Sequence, residues 1–273
     1  MHAGDILRGE LRRRERVDPF IGVFDSFSAI IAAKYSPNLF FSGFGFAASF
    51  YGLPDIGYIS WSDMVQAAWR VRQALPHHKL LVDIDDGYVD VHTACHVVAQ
   101  LDAMGAAMVM LEDQARPRRC GHADGKLILP LQQYLEKLEA VLARRRSLCI
   151  MARTDATGDE IFRRVEAISK TDADALLVDG ITSLELLHKI RSSTHKPLVF
   201  NQIAGGKSPR MSIDELREAG VDLIQYSTPL LFAAQSAMES AATDIFQNGG
   251  HLPDQTSASS IGVRECTSLL TAR

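Results

Sequence analysis

Acidic residues gather at a few points of the chain with a spacing that suits a hard cation. Asp83 and Asp85, within Asp83-Ile84-Asp85-Asp86, stand two residues apart, so at a strand end both carboxylates point the same way. Glu112 ends the next apolar run, and Asp55 closes a Gly-Leu-Pro-Asp loop. Four carboxylates at one mouth repel one another unless a cation lies among them. Mg2+ accepts such ligands while keeping several waters, and Mn2+ could take the same place. The expected metal set is therefore Asp83, Asp85, Asp55 and Glu112.

A second cluster follows directly. The stretch from Glu112 to His122 packs Arg116, Arg118, Arg119, Cys120 and His122 into one loop. A cysteine beside guanidinium groups is expected to have a depressed pKa and substantial thiolate character. Such a thiol can exchange a proton near neutrality or attack as a nucleophile. His122 could orient it or hold a substrate carboxylate, and Gly121 allows close backbone approach to a ligand.

Other patterns carry less. His92 and His96 are four apart, but no Glu follows His92, so the pair is read as structural. Gly205-Gly206-Lys207-Ser208 looks like the end of a phosphate loop, yet position 201 is Asn where that motif needs Gly. Met104, Met108 and Met110 read as core packing.

The elements that must position these groups are short apolar runs separated by helical patterns. Strands are expected near Phe20–Phe24, Leu39–Ser42, Lys79–Ile84, Met108–Leu111, Leu148–Ala152, Ala175–Val178, Pro197–Phe200 and Asp222–Gln225. Most are continuous apolar runs, as in parallel strands covered on both faces. Ser62–Ala74, His92–Met104, Leu131–Arg144 and Ile213–Ala219 have helical spacing, with Asp63 and Ser212 as first-turn or cap residues. Eight such units predict an α/β fold, a (β/α)8 TIM barrel, better than a doubly wound sheet. Every expected strand is followed by polar residues, and the carboxyl ends of barrel strands are where this fold keeps its active sites. The basic stretch Arg8–Arg16 is read as a solvated N-terminal helix.

The domain reading is a catalytic barrel over residues 1–246 and a linker with a C-terminal helix over 247–273. An apolar helix is expected around Leu230–Phe246 and a last one near Ser257–Leu270, with Gly249, Gly250 and Pro253 between them. A final helix beyond a closed barrel has little barrel surface to cover, so it is expected to pack on a neighbouring subunit. The 273 residues are 47% hydrophobic and 23% charged, with a net charge of −4, which argues against a nucleic-acid partner. No apolar run approaches the ~20 residues of a membrane span, and no signal-peptide core is visible. Four dispersed cysteines without a CxxC pair suit a reducing cytoplasm.

These residues carry a family likeness. Ser42-Gly43-Phe44-Gly45, Gly52-Leu53-Pro54-Asp55, Asp83 to Tyr88, Glu112-Asp113-Gln114 with Arg119-Cys120-Gly121-His122, Arg153-Thr154-Asp155, and Asn201 with Gly205 to Pro209 resemble the isocitrate lyase/phosphoenolpyruvate mutase superfamily. The match runs from about residue 15 to 235. It implies a barrel whose last helix is swapped between subunits of a dimer or tetramer, Mg2+, and a 2-hydroxy or 2-oxo acid substrate. Cys-Gly-His resembles the carbon–carbon lyases that act on isocitrate, 2-methylisocitrate or related alkylmalates, where the cysteine is the proposed proton donor. Carboxyphosphonoenolpyruvate mutases share that motif. The likeness assigns Cys120, Arg118, Glu112 and His122 to catalysis. It assigns Ser42, Gly43, Phe44, Gly121, Arg153, Asp179, Asn201 and Arg264 to substrate binding.

Three positions depart from the pattern. Arg118 stands where the lyases carry Lys, and arginine stays protonated, so it can stabilise an oxyanion but not act as a base. Asp179 replaces a Glu, and Phe232 stands where 2-methylisocitrate lyase has a carboxylate-binding Arg. Arg264 aligns with a second such Arg on the last helix. The departures imply a substrate other than methylisocitrate, with fewer carboxylates or an added apolar group. The main expectation is a Mg2+-dependent retro-aldol lyase of a substituted malate-type acid. Phosphoryl migration on a carboxyphosphonoenolpyruvate-like substrate, and non-catalytic binding of 2-oxo acids, are the alternatives.

Overall fold

The computed structural model describes residues 2–252 and 261–271. Eight parallel strands close a barrel in which each strand pairs with the next in the chain and the last with the first. They are β1 Asp18–Val23, β2 Asn38–Phe41, β3 Lys79–Asp83, β4 Met108–Glu112, β5 Cys149–Thr154, β6 Ala175–Val178, β7 Leu198–Gln202 and β8 Leu223–Tyr226. The helices are α1 Ala3–Arg13, α2 Ser26–Ala32, α3 Gly43–Phe46, α4 Trp61–Ala74, α5 Val91–Ala103 and α6 Leu131–Arg144. They continue with α7 Glu160–Ser169, α8 Leu184–Ser192, α9 Ile213–Glu218, α10 Pro229–Gln247 and α11 Val263–Thr271. A π-helical turn, Ala47–Tyr51, extends α3.

All eight expected strands are present, and their ends move by at most two residues. The differences have one cause at the carboxyl ends of β4, β5 and β7. Glu112, Arg153, Thr154, Asn201 and Gln202 belong to strands although their side chains are polar. The ladder is made by backbone groups, so Glu112 pairs with Arg153 in register whatever their side chains are. Capping follows the expected chemistry, with Ser212 a cap and Asp63 a first-turn residue. Ser212 caps α9 in a box with Glu215, while Ser60 caps α4 and Asp63 is its partner three residues on.

Two shells of apolar side chains hold the barrel. One lies between the strands and the surrounding helices, as with Val82, Val98, Leu138 and Ile168. The other fills the barrel itself with Phe20, Phe40, Leu81, Met108, Met110, Met151 and Leu223. Leu7 and Leu11 of α1 belong to this inner shell and are buried. The N-terminal helix is therefore not a solvated one: it plugs the amino-terminal end of the barrel. Each leucine contributes about 1.5–3 kcal/mol by that burial. The plug sits so close that a Cβ on Gly4 would lie 2.2 Å from the Ser147 carbonyl oxygen. Arg8 anchors it through Asp174 at 2.8 Å and the Leu148 carbonyl at 2.9 Å. The basic stretch looked solvated because its charges are visible in sequence, whereas the two leucines that dock it are separated by one helical turn.

The end of the chain matches expectation in part: α10 lies within one residue of the expected Leu230–Phe246. Helix α10 has no buried residue and exposes Met238 and Phe246. Of the expected final helix, residues 257–260 lie outside the described residues, and α11 starts at Val263. It lies against α2 of its own chain and exposes Val263 and Leu270. All four cysteines are free thiols. No helix among the described residues is long and apolar enough to cross a membrane.

Candidate active site

The carboxyl ends of the strands bring most of the expected residues to one small cavity. Its wall includes Ser42 and Phe44 after β2, Asp83 at the end of β3, and Arg153, Asp179 and Asn201 from β5 to β7. Cys120, Gly121 and His122 of the long loop after β4 close it from above, with Asp55 beside them and Met110 beneath. Ser42 is also the cap of α3, accepting from the Gly45 amide at 3.1 Å. Gly43 packs on the acids, since a Cβ there would stand 3.0 Å from Asp83 Oδ2.

Asp83 and Asp85 do meet, but not by strand alternation. β3 stops at Asp83, and Asp85 takes a left-handed conformation with φ 51°. Its amide then donates to Asp83 Oδ1 at 3.0 Å. Aspartate tolerates this conformation better than most side chains. Asp83 has no cationic side chain within ion-pair distance among the described residues, and burial pushes its pKa up. Burial raises Asp85 further, and Glu112 is pushed up to about 7.

Arg118 takes up much of the remaining negative charge. Its Nε donates to Glu112 Oε1 at 2.8 Å, and its terminal nitrogens reach Asp55 and, at 3.2 Å, Asp85 Oδ1. Burial works against that guanidinium, yet Asp85, Glu112 and Asp55 hold its pKa well above the ordinary value. Among the described residues no three acidic, histidine or cysteine side chains converge on a point for a metal ion, which corrects the simple four-carboxylate picture. The donor set still fits a hard cation. Asp85 Oδ1 and Glu112 Oε2 are buried without a hydrogen bond, each 3.2 Å from a guanidinium nitrogen, and Asp83 is unclaimed by any cation. Carboxylate oxygens left over in this way suit Mg2+ held largely through water.

The cysteine is not the thiolate that its arginine neighbours imply. Arg118 turns into the acids, Arg119 is exposed, and Arg116 pairs with Asp86 at 2.8 Å. Burial pushes the Cys120 thiol up to about 11, with Asp55 and Asp179 adding to the rise and the His122 amide and Arg153 opposing it. Cys120 is therefore a protonated thiol across the neutral range. Sequence spacing placed guanidinium groups beside it, and the fold spent them elsewhere.

Arg153 is the centre of the other half of the site. It pairs with Glu112 at 3.2 Å, Asp155 at 2.9 Å and Asp179 at 3.0 Å. Burial alone would raise Asp179, but Arg153 and a hydrogen bond from His122 hold it well below the usual carboxylate range. His122 Nδ1 accepts from the Lys207 amide at 2.9 Å, which leaves Nε2 to face Asp179 at 3.3 Å. The loop resembling a phosphate cradle is thus the backing of His122. A Cβ on Gly206 would lie 2.5 Å from that ring. Gly121 is required by crowding from side chains, since a Cβ would stand 1.8 Å from Asp179 Oδ2.

Some functional neighbours had weak sequence signals. Lys126 bonds Asp155 at 2.7 Å and the Gly121 carbonyl, tying the loop to β5. Gln114 clamps both backbone groups of Arg119, at 2.7 and 2.8 Å. Ser227 donates to Asn201 Oδ1 at 2.7 Å, and Asn201 donates to Asp179 at 3.0 Å. A single Lys, Gln or Ser in a loop has no spacing to reveal it. Arg264 is the one expected site residue that its own barrel does not bring near. It lies on α11 over Lys34 and Pro76–His78, at the opposite end of the barrel, and pairs with exposed Glu265. His96 lies edge-on to Trp61 with ring centroids 5.1 Å apart, which is a packing role.

Comparison with known proteins agrees with this geometry. Residues 7–246 match the family described as phosphoenolpyruvate phosphomutase. The chain is 29% identical over 251 residues to a 2-methylisocitrate lyase of Aeropyrum pernix, covering 90% of this chain and 80% of that one. The structure of a 2,3-dimethylmalate lyase, a PEP mutase/isocitrate lyase superfamily member, superposes with a TM-score of 0.92 at 26% identity, covering 99% and 92% of the two chains. An oxaloacetate acetylhydrolase bound to 3,3-difluorooxalacetate gives 0.91 at 26%, covering 98% and 93%. With a closed barrel, an acidic mouth and Cys-Gly-His on the loop after β4, the chain belongs to the phosphoenolpyruvate phosphomutase family within the PEP mutase/isocitrate lyase superfamily.

Proposed function

We propose that the chain is a carbon–carbon lyase that cleaves a substituted malate-type 2-hydroxy acid into a 2-oxo acid and a carboxylic acid, with Mg2+ or Mn2+ as cofactor. The observation that carries this is the place of Cys120, which lines the same cavity as Asp55 and Asp83 where burial raises its thiol pKa to about 11. Mg2+ held by Asp83 and Asp85, with Asp55 and Glu112 behind them, would stabilise negative charge on the substrate's hydroxyl and carboxylate oxygens. The 2-hydroxyl gives up its proton to a carboxylate of the acidic mouth and becomes the 2-oxo group, and as the carbon–carbon bond breaks its electron pair goes to the leaving acid as an enolate. The Cys120 thiol, protonated at neutral pH, gives that carbon its proton. Asn201 and His122 are held in fixed orientation by Asp179, Ser227 and the Lys207 amide, ready to bind substrate oxygens. Gly121 lets the loop close over the site and exclude water.

The phosphomutase alternative needs free cations for a phosphonate. None of Arg116, Arg118 and Arg119 lines the cavity, which favours the lyase. The substrate we infer has few carboxylates and an apolar substituent. Arg153 is already shared among three acids, and Phe44, which lines the cavity, meets Phe232 edge-on at 6.1 Å. A homodimer or tetramer exchanging the 247–273 segment is part of the same proposal, since exposed apolar residues on α10 and α11 would gain cover. The free thiols suit a reducing cytoplasm. The test is incubation with Mg2+ and a panel of alkyl-substituted 2-hydroxy diacids, with 2-oxo acid release measured. Turnover of phosphonate substrates alone would replace the lyase reading with the mutase one.

A further inference from the structure

Arg118 is 2% exposed and lies between three elements. Asp55 comes from the loop after the π-helical turn, Asp85 from the turn after β3, and Glu112 from the end of β4. The guanidinium touches all three, with Nε 2.8 Å from Glu112 and a terminal nitrogen 3.2 Å from Asp85. The loop before α4 wraps its stem so closely that a Cβ on Gly57 would lie 2.8 Å from Arg118 Cγ. Three of the four carboxylates assigned to a divalent cation are therefore already compensated by a covalently attached charge. Asp83, the fourth, is left without a cation partner. An arginine holds its charge at any working pH and presents a fork that grips several oxygens at once.

We propose that Arg118 is a tethered competitor of the divalent cation: its guanidinium and the metal draw on the same oxygens of Asp55, Asp85 and Glu112, so Arg118 sets how tightly the cation binds. The inference rests on reading these acids as a cation site, and it concerns affinity, not turnover. Two positive charges in one buried cluster repel. Cation entry weakens the hold of Arg118, and by linkage whatever fixes Arg118 in the cluster weakens the cation. Because Arg118 belongs to the loop that carries Cys120, the cation's arrival and the position of that loop are coupled.

The experiment measures free Mn2+ by electron paramagnetic resonance during titration of the full chain, without substrate, for wild type, Arg118→Gln and Arg118→Lys. Arg118→Gln is expected to bind Mn2+ at least tenfold more tightly, and Arg118→Lys a few-fold more tightly because a point charge replaces the fork. In EDTA, Arg118→Gln is expected to melt below wild type, and saturating Mn2+ to raise its melting temperature by the larger amount. Unchanged or weaker Mn2+ affinity in a folded Arg118→Gln protein overturns the proposal. Should that variant fail to fold, unchanged affinity in Arg118→Lys does the same. No Mn2+ binding by any protein would overturn the cation site itself, whereas equal binding by all three removes only the competition.

Discussion

The two ends of the barrel handle buried charge in opposite ways. At the amino-terminal end the acids have guanidinium partners: Asp174 takes Arg8 and Arg145, Asp222 takes Arg14 and Arg191, and Asp18 takes Arg16. Leu7 and Leu11 then seal that end. At the carboxyl-terminal end Asp55, Asp83, Asp85, Glu112, Asp155 and Asp179 share Arg118, Arg153 and Lys126 as their permanently charged partners among the described residues, with His122 beside Asp179. Burial raises acids at both ends, Asp18 and Asp222 as well as Asp83, Asp85 and Glu112, but at the mouth carboxylate oxygens of Asp85 and Glu112 are left without a hydrogen bond. A buried charge without a partner costs stability, so a fold tolerates it where a ligand completes the set. One end balances its charge within the chain, and the other leaves carboxylate oxygens to be matched.

The strongest way to break this comparison is Asp83→Asn. It removes a buried acid that has no cationic side chain within ion-pair distance among the described residues, so turnover and Mg2+ binding should vanish while the melting temperature holds or rises. Calorimetric Mg2+ titration beside a thermal melt checks it, and a large loss of stability would mean that the two ends are not different in kind. Cys120→Ser should cut turnover by roughly 10²–10⁴, the range for a lost general acid, while leaving Mn2+ affinity unchanged. Because burial pushes this thiol up to about 11, the donor stays protonated as pH rises from 7 to 9. The limb of the rate profile assigned to the donor should therefore stay flat there, and iodoacetamide should label Cys120 slowly. Fast labelling at pH 7 would return the thiolate reading.

At the other end, Leu7→Ala should cost about 2–5 kcal/mol of stability with KM unchanged, read from chemical denaturation and steady-state kinetics. A shift in KM would show that the plug communicates with the mouth. The smallest effect is expected from Phe232→Ala. Phe232 holds Phe44 edge-on at the cavity wall, so its loss should free Phe44 and raise KM for alkyl-substituted acids by no more than about tenfold, ~1.4 kcal/mol, with kcat held. Equal change for all substrates would remove Phe232 from specificity.

Much of this was legible in the residue order. Continuous apolar runs such as Met108–Leu111 and Ala175–Val178 marked parallel strands, because strands covered on both faces have no polar side to alternate with. The acids and the Cys-Gly-His stretch stood at strand ends, where this architecture keeps its chemistry. The plug was hidden because burial of Leu7 and Leu11 depends on a barrel floor formed by residues as distant as Leu223.

What the sequence determined by itself was the alternation of elements and which side chains arrive at the mouth, since both follow from local pattern and from strand direction. Which charge meets which was decided by the tertiary structure. Arg118 and Arg119 are neighbours of Cys120 in the chain, yet Arg118 is gripped by acids from three other elements, one of them 63 residues away. Electrostatic partners are chosen by distance and burial in three dimensions. A thiol that spacing makes a thiolate is for that reason held in its protonated form by burial in the folded protein.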